Sequence, residues 1–170
     1  MRYNTLIVAL VAVLAVASFE RVGRAQGNNQ PPSTASITFG TKVADLMTAT
    51  LFAALLQEFA ETTPANVAQG KQSIGLIFDD ENHNMRLVGA QQPLSENDLP
   101  EDAFEMSALQ QAMIGQGSTS VERVKGKWYY RRSIPLSNFH QACGMCHTNF
   151  GPVDATQFVG ALMLRVPLAQ

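Results

Sequence analysis

The only two cysteines of the 170-residue chain stand together at positions 143 and 146, and a histidine follows at once at 147. Cys143-Gly144-Met145-Cys146-His147 is the attachment pattern of c-type haem. The spacing has a physical reason. Two thiols one turn apart can each add to a vinyl group of the same porphyrin, while the adjoining imidazole swings beneath the ring to reach iron. Covalent attachment then holds the group even in a small domain that encloses it poorly. The expectation is one covalent haem c, with Cys143 and Cys146 forming the thioethers and His147 the proximal iron ligand.

Two other uses of such a segment stay open at this point. A structural zinc site takes several ligands, and His140 could join the motif residues, but adjacent Cys146 and His147 chelate one ion awkwardly. A thioredoxin-like redox pair wants its cysteines at a helix start after a central strand in a βαβ context, which the flanking pattern does not offer. With both cysteines in one short segment, no disulfide framework can spread across the fold.

The beginning of the chain bears on compartment. Met1-Arg2-Tyr3-Asn4 precedes a small and apolar stretch from Thr5 to Phe19, the positive-then-apolar order of a secretory leader. The stretch is shorter than the roughly 20 residues of a membrane span. Cleavage fits after Ala25, where Gly23 and Ala25 are small, or after Ala17; an uncleaved membrane tether is the alternative, because Glu20, Arg21 and Arg24 interrupt the approach to the later site. Residues 1–25 are thus read as a signal peptide, 26–36 as a flexible linker and 37–170 as one domain, with no further membrane span after leader cleavage. Three of the 12 Lys and Arg and one of the 14 Asp and Glu leave with such a leader, so 9 basic and 13 acidic side chains remain, net −4. A surface of that sign makes nucleic acid an unsuitable partner.

The elements that must position the motif follow from pattern. Val43, Leu46, Met47, Leu51, Leu55 and Phe59 recur at helical spacing between Thr41 and Thr62, with Pro64 marking an end or a kink. Ser73 to Phe78, a polar turn over Asp79 to Asn84, and Met85 to Gly89 predict a hairpin. A second helix runs from caps in Ser95 to Asp102 through Phe104, Met106, Leu109 and Met113 to a stop at Gly115. Thr119 to Val124 and Lys127 to Ile134 flank Lys125-Gly126 as a second hairpin, and Gln157 to Val166 supplies a last strand. This order predicts an α+β arrangement, an antiparallel sheet with helices to one side.

With these residues in hand, the chain resembles a family of single-haem c-type domains with a PAS-like fold, long catalogued as a domain of unknown function. The likeness runs from about Val43 to Leu168. It rests on Pro64-Ala65-Asn66-Val67, on the strand from Trp128 to Pro135, on Cys143 to His147 and on the closing strand from Gly160 to Pro167. The resemblance implies a PAS-like antiparallel β-sheet with helices packed on one side and a long N-terminal helix. In that family the first helix or its end can supply a cysteine opposite the histidine. This chain has no third cysteine, and Phe59 falls near that place, so thiolate ligation is not carried over.

Distal-face candidates are Met47, His83, Met85, Met106, Met113, His140 and Met163. Met47 leads because it lies on the helix that the resemblance puts near the haem, although a core methionine among Leu46, Leu51 and Leu55 explains it as well; an open distal position is equally admissible. His140 suits a hydrogen bond to a propionate or a carbonyl. Lys125, Lys127, Arg131 and Arg132 form a basic group that either pairs with propionates or makes a solvated strand face. Trp128, Tyr129 and Phe150 are candidates to wall the haem.

The functional expectation is a periplasmic mono-haem c-type cytochrome engaged in single-electron transfer or redox sensing with an unidentified redox partner protein. A haem-based small-ligand (gas) sensor module acting with a separate output partner is the alternative. A haem enzyme ranks last, because no distal acid–base constellation is identifiable.

Overall fold

The computed structural model describes residues 30–61, 63–70, 84–89 and 98–170. The chain divides into two units, Met1–Pro31 and Pro32–Gln170, and every element below belongs to the second. The expected leader, the strand at Ser73 to Phe78, His83 and the Ser95 cap lie outside the described residues.

Helix α1 spans Thr34–Glu58. It starts earlier than its apolar periodicity suggests, so residues 34–36 are helical and not linker. The reason is a cap: the Ser33 hydroxyl accepts from the Ser36 amide at 3.1 Å, satisfying one of the amide groups that a helix start leaves without an intrahelical acceptor. Ser36 in turn donates from Oγ to the Ala169 carbonyl at 2.8 Å, tying the start of the helix to the end of the chain. Pro64 does not kink α1, which has ended by then. It opens a second short helix, α2, over residues 64–70, at the first position, where proline's missing N–H costs nothing. Thr63 caps it, its hydroxyl accepting from the Asn66 amide at 3.3 Å.

Strand β1 (Met85–Gly89) is followed by α3 (Ala103–Ala112), capped by Asp102. Strands β2 (Ser118–Val124) and β3 (Lys127–Asn138) form the expected hairpin, the short helix α4 covers Gln141–Cys146, and β4 (Asp154–Pro167) closes the chain. The four described strands make one antiparallel sheet in the order β1-β4-β3-β2. The fold is therefore α+β, a four-stranded antiparallel sheet with helices and a long N-terminal helix, consistent with a PAS-like arrangement.

Alternation along β4 separates two cores. Leu162, Leu164 and Val166 pack with Tyr130 against Ala44 and Leu51 of α1; Ala161 and Met163 pack with Val88 against Ala108 and Ala112 of α3. Because successive strand residues face opposite ways, α1 and α3 cover opposite faces. Burying side chains such as Leu51, Leu162 and Leu164 is worth about 1.5–3 kcal/mol each. At Gly40 the helix comes so close that an added Cβ would meet Leu168 Cδ2 at 2.7 Å and Tyr130 Cβ at 3.1 Å.

On the α3 face the sequence pattern misleads. Met106 is 54% exposed and Glu105 is buried in its place. The cause is charge. Glu105 accepts from Arg86 Nη1 at 2.5 Å and lies 3.4 Å from Arg131 Nη2, while Arg131 also reaches Asp102 and Glu122 at 2.6 Å each. Arg131 is only 3% exposed, so it is no part of a solvated strand face.

By length and composition α1 is able to cross a membrane. One side of it is nonetheless committed to the sheet through Gly40, Ala44 and Leu51.

Candidate functional site

The motif follows β3 directly. Phe139 and His140 lead out of the strand into α4, with His140 as its N-cap: Nδ1 accepts from the Ala142 amide at 3.2 Å. His140 thus does make a hydrogen bond, but as an acceptor from the backbone rather than a donor to a carbonyl. Cys143 and Cys146 then fall three apart on one helical turn, the spacing at which helix positions share a face. Cys143 is half-buried. The His147 amide donates to the Cys143 carbonyl at 2.9 Å, so the histidine ends the helix and leaves it at a fixed place relative to the first cysteine.

The imidazole of His147 is held from one side. Phe150 lies flat on it, with ring centroids 4.4 Å apart and planes within 1°. The turn that carries Phe150 is itself anchored by Asn138, a residue the sequence does not flag. Its Nδ2 donates to the Pro152 carbonyl at 2.7 Å, with the Phe150 and Gly151 carbonyls at 3.3 and 3.4 Å. Asn138 is 1% exposed and sits where the β3–β4 register breaks, between Ser137 and Asn138. The irregularity lets an asparagine reach across the connection instead of continuing the ladder. A buried polar residue at the end of a strand facing Gly151-Pro152 was the available signal.

Aromatic rings meet the motif from α1. Phe52 stands 6.2 Å from Phe139, and Phe59 stands 6.4 Å from His140. Helix and strand run side by side, Gly40 against Tyr130, Asp45 paired with Arg132, and Phe59 beside His140. The C-terminal end of α1 is therefore the part that reaches the motif.

That alignment sorts the other candidates. Met47 packs against the α1–sheet core, as does Met85, and Met163 is buried on the α3 face; Met47 thus occupies the core-filling place, and the structure gives it no role at the motif. Met106 is exposed. Lys125, Lys127, Trp128 and Tyr129 lie at the far end of β3; the run from Trp128 to Asn138 covers roughly 33 Å at the rise of a strand. They are not positioned to meet propionates or to wall a group attached at the motif. Trp128 instead joins the α1–sheet core, and Tyr129 lies under the Arg165 guanidinium at 5.2 Å. Arg131 and Arg132 are committed to acids, the latter to Asp45. Of the proposed wall residues, Phe150 alone stands at the motif.

No family model matches the chain, and no curated protein does. What the segment can do is therefore argued from its own chemistry. Among the described residues no three His, Cys, Asp or Glu side chains gather where they could hold a metal ion. A c-type haem would ask the protein for two thiols and an axial imidazole. Cys143 and Cys146 on one helical turn, His147 ending that turn and Phe150 stacked on the imidazole fit that demand.

Proposed function

We propose that this chain is an exported mono-haem c-type protein, with haem c joined to Cys143 and Cys146 and His147 as proximal iron ligand, serving single-electron transfer or redox sensing in the periplasm. The observation that carries this reading is the α4 turn, which sets Cys143 and Cys146 three residues apart and makes His147 the residue that ends the helix. Bound in this way, the group supplies a one-electron ferric–ferrous couple.

The rest is done by the chain. Phe150 stacks on the His147 ring, Asn138 anchors the turn that carries Phe150, and Phe52 and Phe59 at the end of α1 stand beside Phe139 and His140 where the chain enters the turn. Export rests on residues 1–25 as a leader, with an uncleaved tether as the other arrangement. The partner in electron exchange is a separate protein.

A second reading, a haem-based small-ligand sensor with a separate output partner, is favoured by one observation. Phe59 stands where the family resemblance puts a ligating cysteine, and a phenyl ring offers iron no electron pair. Met47 packs in the core, so an open distal position, with access for a small diatomic ligand, is in keeping with this reading. Catalysis ranks behind both readings, since His140 spends Nδ1 on the α4 cap.

The test is spectroscopic. Protein matured with the cytochrome c assembly machinery should keep its pigment in acidified acetone; colourless protein, or pigment extracted by the acid, overturns the proposal. Carbon monoxide added to the ferrous protein then separates the two readings. An unmoved Soret band means a fixed distal ligand and a carrier, whereas a prompt shift means an open site and a sensor.

A further inference from the structure

Asn138 has one atom that anchoring the turn does not account for. Its Oδ1 is buried and, among the described residues, meets no donor. A buried acceptor without a donor is costly, so one left in a fold asks for the group that fills it. The other end of the amide settles where Oδ1 points. Nδ2 has the Pro152 carbonyl at 2.7 Å, the Phe150 and Gly151 carbonyls at 3.3 and 3.4 Å and Gln157 Oε1 at 3.4 Å. Exchanging the two amide atoms would set an oxygen against three carbonyl oxygens, so Oδ1 is the atom turned away from them. Asn138 also pairs with Asp154 across β3 and β4, which puts it at the base of the loop 139–153 that carries the whole motif. The nitrogen and oxygen side-chain donors of that loop are His140, Gln141, His147, Thr148 and Asn149. Gln141, Thr148 and Asn149 are exposed to water. His140 stands beside Phe59 of α1 and caps α4 with its ring. That leaves His147, half-buried and stacked on Phe150, whose carbonyl Asn138 already approaches.

We propose that Asn138 is the positioning residue of the proximal ligand, its Oδ1 accepting a hydrogen bond from Nδ1–H of His147. The inference rests on the haem reading and deepens it. A histidine that gives Nε2 to iron keeps its proton on Nδ1, and such a ring is held in place by an acceptor for that proton. The stack on Phe150 fixes the plane of the imidazole and leaves its N–H at the edge of the pair, where an amide oxygen at the base of the loop can receive it. The bond does two things. It stops the ring turning about its own axis, and it draws the proton away from Nδ1, which makes Nε2 the stronger electron donor. A stronger donor favours the ferric state, so Asn138 sets the midpoint potential downward through His147 without touching iron. One side chain thereby serves both ends of the loop, its nitrogen holding the return at residues 150–152 and its oxygen holding the ligand.

The test begins with holoprotein that keeps its pigment in acidified acetone; colourless protein removes the haem reading and this inference together. With the pigment retained, the ferrous protein, under carbon monoxide if the distal position is open, is diamagnetic and suits NMR of the isotope-labelled wild type. The expected result is a His147 Nδ1–H that exchanges slowly with water and shows a nuclear Overhauser contact to the Asn138 side-chain amide protons. Redox titration supplies the second measurement. The midpoint should rise in Asn138→Ala, which takes the acceptor away, and fall in Asn138→Asp, which puts a stronger one in its place, whereas a loosened turn alone would move both the same way. A His147 Nδ1–H in free exchange with solvent, its contact to a different acceptor, an unmoved midpoint in Asn138→Ala, or shifts of one sign in both variants would each overturn the proposal and leave the thioether attachment standing.

Discussion

Phe150 lies face to face with His147, ring centroids 4.4 Å apart and planes parallel within 1°, so the imidazole proposed as the proximal iron ligand is oriented by a phenyl ring three residues along the chain. An aromatic pair of this kind is worth about 0.5–1.5 kcal/mol beyond its buried area. Phe150→Leu, which keeps most of the apolar contact, should cost about 1 kcal/mol in urea denaturation. Haem attachment should persist, because the thioethers do not depend on the ring. The His147 imidazole should gain freedom, visible as broadened ring resonances in the NMR spectrum of the diamagnetic ferrous protein, if its iron is low-spin.

Asn138 governs the same turn from the sheet. Asn138→Ala removes the side-chain donor to the Pro152 carbonyl at 2.7 Å and strips the nearby Phe150 and Gly151 carbonyls of a neighbour inside a buried site. The expected loss is about 1–3 kcal/mol, the penalty for leaving a buried polar group without its partner. Asn138→Asp should be worse, since it sets a carboxylate against three carbonyl oxygens. A lower urea midpoint at constant m-value is the measurement.

On the other face of the sheet the ion pairs set an acid limit. Burial works to raise the pKa of Asp102, but the hydrogen bond from Arg131, the amides of Glu105 and Phe104 and the Arg131 charge outweigh it and hold the carboxyl below its ordinary value. Burial likewise works against the Arg131 charge, and its bonds to Asp102 and Glu122 raise its pKa above the usual arginine value. A depressed folded-state pKa stabilises the fold above the unfolded carboxylate pKa, and that stability is lost as pH falls through the folded value. Wild-type stability should therefore drop on acidification below the ordinary aspartate range, and the drop should be smaller in Asp102→Asn. Because Asp102 is partly exposed to solvent, screening keeps the difference modest; parallel urea titrations from neutral to acid pH measure it.

Glu105 is the more consequential member of that network. Glu105→Gln leaves Arg86 and Arg131 buried with one carboxylate fewer between them, and breaking a buried pair from one side costs about 3–5 kcal/mol. Replacing all three with apolar residues should cost less than the single change. The comparison of unfolding free energies for E105Q and for the triple variant E105L/R86M/R131M decides it.

These contrasts explain what the sequence could and could not convey. The hairpin around Lys125-Gly126, the end of α3 ahead of Gly115 and the Cys-x-x-Cys-His motif were legible because each is local: turn residues, alternation and fixed spacing act within a few positions. The start of α1 was missed because Thr34-Ala35-Ser36 carries little apolar signal, although Ser33 and Ser36 hold the cap. The orientation of α3 was not legible, because whether Glu105 or Met106 turns inward depends on Arg86 and Arg131, which arrive from strands far along the chain. The same holds at the motif. The residues proposed to hold haem are contiguous and readable, whereas Asn138 and the aromatic end of α1 are joined to them only by the fold.

The Lys125-Gly126 turn offers a prediction in the stabilising direction. Both residues adopt positive φ, 48° and 84°, the two-residue geometry that matches the twist of a hairpin. Glycine takes this conformation freely, but a lysine there carries the steric penalty of the left-handed region, which asparagine tolerates better. Lys125 lies at the end of β3 remote from the motif, and Arg123 Nε reaches the Gly126 carbonyl at 3.1 Å, so the turn is already held in shape. Lys125→Asn should raise stability by about 0.5–1 kcal/mol, while Gly126→Ala should lower it by about 1 kcal/mol or more. Thermal melts of the two variants should move in opposite directions, with the haem spectrum unchanged in both.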